Sequence, residues 1–347
     1  MSDTQEKKNT NALINIDGGS IAAVANNLLD KLAASVGWLA TRETLKKIDQ
    51  KTAREIRKVE AGKEIAISQL NAHAEYRKAI QQIDLPEEEK AILLSNVSRD
   101  FRAYYNQEAI VAEAISNLNQ EARPEDVDVD WLFQFMDKAR LVSDEEMQLI
   151  WGRILAGECN APGSVPKSLL HILEQVEKSH AETFTALRSI SVHVHVCYAD
   201  GETEFYPFYF EAPLASRPSL PLEYFLLLVE KDLHPAAIRE LISLGLVAKD
   251  KGEVPAVYPI HYYGESDEGY DPEETYMFKR PMGDLVYTQA GQALCRSIRV
   301  PKEEGFFKKV CIPFWNEEVE KEAEKQRKKY EERRKSLQEE KTAGSEE

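Results

Sequence analysis

The chain has 347 residues, 43% of them hydrophobic, and a formal net charge of -16. That length and composition suit two or three domains with ordinary cores, and the negative balance argues against a protein that coats nucleic acid, because such affinity comes from Lys and Arg displacing counterions. Cys159, Cys197, Cys295 and Cys311 are widely separated and have neither the CxxC spacing of a zinc ribbon nor the density of a disulfide scaffold. No run reaches the roughly 18 apolar residues of a membrane span, so the expectation is a cytoplasmic protein with no transmembrane span and no implied cofactor.

Residues 1–19 are polar and read as a disordered arm. The next segment, 20–121, reads as an amphipathic helix followed by a long helical hairpin. Over 21–40 an apolar side carries Ala25, Leu28, Leu29, Leu32, Val36 and Leu39, with Trp38 near the end. Such a face packs on other helices or makes peripheral contact with a membrane. Asn26, Asn27, Asp30 and Lys31 offer little positive charge to draw it to lipid, so packing is the preferred reading. Leu45, Ile56 and Ile67 are eleven residues apart, as are Ile48, Val59 and Leu70, a repeat that keeps a helical seam straight or winds it gently right-handed. Leu85-Pro86 interrupts it, and Glu87, Glu88 and Glu89 suit the positive end of a new helix. Val97, Phe101, Tyr104, Val111, Ile115 and Leu118 then form a coiled-coil heptad seam broken by Glu108, which is either a solvated edge residue or a register-setting polar group. The candidate oligomerisation residues are Ile56, Val59, Ile67, Leu70, Phe101 and Tyr104, for a homo-oligomer.

A helical domain is expected over 122–186. Leu132, Phe135, Met136 and Ala139 fall at helical spacing, as do Met147, Ile150, Trp151, Ile154 and Leu155. Ser143 lies three residues before Glu146, a capping-box spacing, and Gly157 is placed to end the second helix at about Ala156. Asn160, Pro162 and Gly163 form a turn, Ser164 is the expected N-cap and Pro166 opens the next helix. Trp131, Trp151, Glu158, Asn160 and Lys167 are the candidate interaction residues, with turn and helix capping as the alternative for the polar three.

The strings Ala139 to Glu145, Trp151 to Glu158 and Pro162 to Lys167 resemble an uncharacterised bacterial family defined as a domain of unknown function. Similar helix, LAGE and PGS signatures occur in proteins assigned to abortive infection. The resemblance implies a context of phage defence, names no reaction and carries over no catalytic residue.

An α+β winged-helix-like module is expected over 187–312. Ser191 to Tyr198 alternates valines with His193, His195 and Cys197, a strand with three potential metal ligands on one face. The alternative is a polar sheet face. Asp200-Gly201 reads as a hairpin turn into an aromatic strand, Phe205 to Phe210. Helices follow within 221–245, then a strand at Leu246 to Ala248, a loop, a strand at Leu285 to Thr288 and a helix from Ala290 to Ile298. Helix, helix, strand, loop, strand, helix is the winged-helix order. Lys279 and Arg280 are the candidate nucleic-acid residues, but Glu265, Asp267, Glu268, Asp271, Glu273 and Glu274 precede them and would repel phosphate, so a protein partner is preferred. The segment 313–347 reads as a charged helix laced by Glu317–Lys321, Glu324–Lys328 and Glu331–Lys335 pairs, ending in a disordered tail.

Phosphate-loop, dinucleotide, zinc-protease and nucleophile-elbow motifs are missing from the sequence, which lowers the expectation of an enzyme. The fold class expected is mainly α. The expected function is a self-associating interaction protein, with a DNA-binding winged-helix regulator and a metal-dependent enzyme built on 193–197 as alternatives.

Overall fold

A computed structural model describes residues 20–40, 74–195, 203–211, 220–255, 258–267, 279–322, 324–325 and 328. The arm at 1–19, the eleven-residue repeat with Ile56, Val59, Ile67 and Leu70, Cys197, the Asp200-Gly201 turn and residues 329–347 lie outside them. The chain divides into two compact units, residues 1–174 with 296–298 and residues 175–295 with 299–347. The fold is mainly helical, with antiparallel strands in two small sheets.

The first unit contains α1 (Ser20–Val36), a helical stretch at 74–81, α2 (Glu87–Ile115), α3 (Val129–Ala139), α4 (Glu145–Asn160) and α5 (Lys167–Leu173). The apolar side of α1 packs on α3 and on the 3-10 turn Pro124–Asp126. Leu28, Leu29 and Leu32 are buried there, each worth about 1.5–3 kcal/mol. That burial withdraws the face offered above to a membrane. Trp131 stacks on Phe135 at 5.1 Å, and Phe135 meets Trp151 at 5.2 Å, forming the aromatic centre of this core.

Helix α2 changes character along its length. From Ile110 to Ile115 every residue is buried, whereas Ile92 and Leu93 near its start are exposed. Its buried half lies against α4, where a Cβ on Gly152 would stand 2.4 Å from Glu113 Cβ and 2.8 Å from the Ile110 carbonyl oxygen. Glycine is what lets the two helices close to this distance. Glu108 is fully buried in this half, not solvated at an edge.

Two expected boundaries differ. The cap of α4 is Asp144, whose carboxylate accepts the Met147 N–H at 2.9 Å, while the Ser143 hydroxyl receives Asn106 Nδ2. The helix also runs through Gly157 to Asn160. The left-handed glycine is Gly163, at φ +86°, in the loop that follows. Continuing the helix places Glu158 and Cys159 inside the unit, a gain that outweighs the weak stop signal of one glycine.

The second unit begins with α6 (Lys178–Ser189), which packs on α8 (Pro235–Ser243), so this helix goes with the sheets and not with the signature that precedes it. The strands are β1 (Ser191–His195), β2 (Thr203–Pro207), β3 (Val247–Pro255), β4 (Ile260–Tyr262), β5 (Glu265–Asp267) and β6 (Lys279–Tyr287). Helix α7 (Leu222–Glu230) precedes α8, and α9 (Gln289–Ser297) follows β6. One sheet has the order β2-β1-β4-β5 and the other pairs β3 with β6, all antiparallel. The expected order of helix, helix, strand, loop, strand, helix is present as α7, α8, β3, β6 and α9. The intervening loop contributes β4 and β5, which leave the β3–β6 ribbon and join β1. An aromatic core around Phe208 gathers Tyr224, Phe314 and Trp315, beside a π-helical turn at Phe307–Cys311. Beyond it, Glu317–Lys321 and Glu324–Lys328 pair at 2.7 Å each, as the i,i+4 spacing predicts.

Candidate functional site

The polar residues of the signature are occupied in building its loop. Glu158 is almost sealed from solvent, and its two carboxylate oxygens accept the N–H groups of Gly163 at 2.7 Å and Val165 at 2.9 Å. Burial holds this carboxyl above its ordinary range, with those two donors opposing the shift. The Val165 carbonyl in turn accepts Trp131 Nε1 at 3.0 Å. Asn160 Oδ1 accepts the Asn119 N–H, and its Nδ2 donates to the Asn117 carbonyl. Asp128 caps α3 through the Trp131 N–H and pairs with Lys167 at 3.1 Å. Trp131 and Trp151 are in the core, so neither presents an interaction surface. Cys159 is no nucleophile in this setting, since burial pushes its thiol up to about 12.

Arg280 is fully buried, paired with Asp267 at 2.6 Å, hydrogen-bonded to the Tyr258 carbonyl and set 5.5 Å from the Trp315 ring. It is a core residue of the second unit and has no path to a phosphate backbone. Only Lys279 of that candidate pair is at the surface, 3.6 Å from Glu253.

The described part of the hairpin keeps an aromatic seam. Tyr76 meets the edge of Phe101 at 5.2 Å, and Phe101 stacks on Tyr105 at 5.8 Å. Tyr104 turns the other way, stacking on Trp38 at 5.7 Å and donating its hydroxyl to the Leu39 carbonyl. Both rings line a cleft of about 520 Å³ with Gln107, Phe133 and Met136. Around the turn, Ile92 is 61% exposed, Tyr76 53%, Ile83 45% and Leu93 37%.

The remaining cluster lies in the four-stranded sheet. His193 is paired with Phe205 of β2 on one side and His261 of β4 on the other, and His261 is paired with Ser266 of β5. Cross-strand partners share a face, so Phe205, His193, His261 and Ser266 form one row. His195, two residues along β1, lies on the same face beside Thr203, and its Nδ1 is 3.0 Å from Thr203 Oγ1. The three imidazole centroids are 5.5, 5.5 and 4.8 Å apart. Arg188, at the end of α6, lays its guanidinium 4.0 Å over Phe205 and 5.5 Å from the Tyr263 ring. Burial, then His261, Arg188 and His195, holds the His193 imidazole down at about 4, and burial followed by His195 lowers His261. The His193 imidazole is therefore neutral at physiological pH.

Sequence reading found His193 and His195 by their alternation but missed His261 and Arg188. The strand-like alternation of His261 with Ile260 and Tyr262 was a signal, whereas its pairing with β1 depends on tertiary structure. Among the described residues no group of three or more His, Cys, Asp or Glu is arranged to hold a metal ion.

In class, this is a mainly helical, two-unit protein with histidines and a buried arginine gathered on one sheet face. A DUF2806 domain, described as a protein of unknown function, is found over residues 98–251, which takes in the signature, α6, β1 and β2. No curated protein and no solved structure matches the chain.

Proposed function

We propose that the protein acts by association, with a second copy of itself and then with another protein, and not by catalysis. The observation that carries this is the apolar group at the hairpin turn: Tyr76, Ile83, Ile92 and Leu93 all face solvent, where a closed set of helices would bury them. A second copy is the favoured occupant because the turn is self-complementary in charge. Arg77 and Lys78 stand on one arm and Glu88 and Glu89 on the other, Glu87 being paired with Lys90, so a two-fold axis would set those charges against their opposites. Light scattering over a concentration series tests it on the intact chain. Ile92→Lys combined with Tyr76→Ser is expected to convert an oligomer to a monomer without loss of helix content. A monomeric parent, or an oligomer indifferent to both substitutions, overturns the reading.

A role in defence against phage belongs to the same proposal and rests on the resemblance of the signature. Deletion in the native host is expected to raise phage sensitivity, and unchanged sensitivity removes this part.

A further inference from the structure

We propose that Arg188, together with the histidine face of the four-stranded sheet, is a binding site for a phosphate-bearing ligand.

Arg188 is 8% exposed and cannot shed its proton. Among the described residues its Nε and Nη1 have no hydrogen-bond partner, and its guanidinium lies 4.0 Å over the ring of Phe205 and 5.5 Å from that of Tyr263. Tyr263 Oη beside it is also buried without a partner. An isolated buried charge is among the costliest arrangements in a protein. A bound anion would offset that cost by accepting from the unmet donors.

The sheet shows what that complement is. Strand alternation keeps the carboxylates of the described strand residues off the histidine face. On β5, Ser266 shares the row of His261 and His193, whereas Glu265 and Asp267 are paired with Tyr262 and Ile260 and so lie on the opposite face. Both acids are already engaged there, Glu265 with Lys302 and Asp267 with Arg280. On β2, Thr203 and Phe205 share the histidine side and Glu204 alternates away from it. Among the described strand residues, the histidine face holds hydroxyls, imidazoles and aromatic rings with no carboxylate. In a chain of net charge -16, a strand face whose described residues include no acid, beside a buried guanidinium, suits an anion. The same arrangement disfavours a divalent metal on the three imidazoles, because a cation there would sit beside an arginine with no carboxylate to balance either charge. Guanidinium suits the doubly charged, multiply accepting phosphate group, and the neighbouring imidazoles of His193 and His261, whose centroids are 5.5 Å apart, supply planar surfaces for a ring attached to it. The ligand class is thus a phosphate monoester, with a nucleoside monophosphate as the form that uses both features.

Thermal unfolding of the full chain at fixed ionic strength tests this, titrating inorganic phosphate, adenosine monophosphate and adenosine separately up to about 10 mM. The expected result is a melting temperature that rises with phosphate and rises at lower concentration with the nucleotide. The apparent affinity should be at least tenfold weaker in Arg188→Met and several-fold weaker in His261→Gln, the second variant being more exposed and serving if the first fails to fold. Equal effects of phosphate and nucleotide would keep the phosphate site and remove the ring platform. No response to either anion, an equal response in the parent and both variants, or stoichiometric zinc uptake abolished by His193→Gln would overturn the proposal. Oligomeric state is not read by this experiment, so its failure is separate from that of the hairpin reading.

Discussion

Arg280 and Arg188 are the same residue type, both buried in the second unit beside aromatic rings, and they differ in whether a described carboxylate meets the charge. Arg280 has Asp267 at 2.6 Å and the Tyr258 carbonyl, while Arg188 has two aromatic rings and, among the described residues, no hydrogen-bond partner for Nε or Nη1. Glu158 in the first unit belongs with Arg280, since both of its oxygens are met by backbone donors. A buried charge that meets an internal counter-charge or backbone donors is explained by the fold it holds. One whose partners are missing asks for a partner from elsewhere, and this difference separates the signature loop, which is structural, from the histidine face.

The largest effect expected from this comparison is at Arg280. Arg280→Met removes the buried guanidinium from Asp267 and the Tyr258 carbonyl, and should cost about 3–5 kcal/mol in urea unfolding. Next comes Glu158→Gln, which turns an amide donor toward the Gly163 or Val165 N–H and should cost about 1–3 kcal/mol at neutral pH by the same measurement. Arg188→Met should cost nothing or stabilise by about 1–2 kcal/mol, because it replaces an unanswered charge with a side chain of similar length among aromatic rings. A large loss there would mean that the guanidinium is structural, and would end the contrast with Arg280. The smallest effect is at the surface: Lys279→Ala should stay within about 0.5 kcal/mol.

The pH dependence sharpens the comparison inside the signature itself. The Glu158 carboxyl is raised chiefly by burial, so the native state binds its proton more readily than the unfolded chain does, and its contribution to stability grows as pH falls from neutral toward the carboxylate range. The Asp128 carboxyl is lowered, first by the Trp131 N–H and then by Lys167, so its contribution is lost over the same descent. Unfolding midpoints from pH 7 down to the carboxylate range should therefore show a growing penalty for Glu158→Gln and a shrinking one for Asp128→Asn. Parallel slopes would contradict the assigned environments.

Much of the helical architecture was legible because its signals are local. The apolar period of α3 is answered by burial of Leu132, Phe135, Met136 and Ala139, and Pro86 with three glutamates marks the start of α2. The endpoints of α4 were misplaced where a local preference competed with packing: Asp144 outdid Ser143 as the cap, and burial of Glu158 and Cys159 carried the helix past Gly157. The site was legible only in part. Alternation placed His193 and His195 on one face, whereas adjacent positive charge grouped Lys279 with Arg280 as candidate nucleic-acid residues, of which one is exposed and the other is in the core.

What the sequence determined by itself is therefore which residues share a helix stripe or a strand face, since that depends on neighbours within a turn or a pleat. Tertiary structure alone decided that His261 lies beside His193, that Asp267 answers Arg280, and that among the described residues no acid answers Arg188. A charge's partner is set by which distant segments the core brings together, and no local period encodes that.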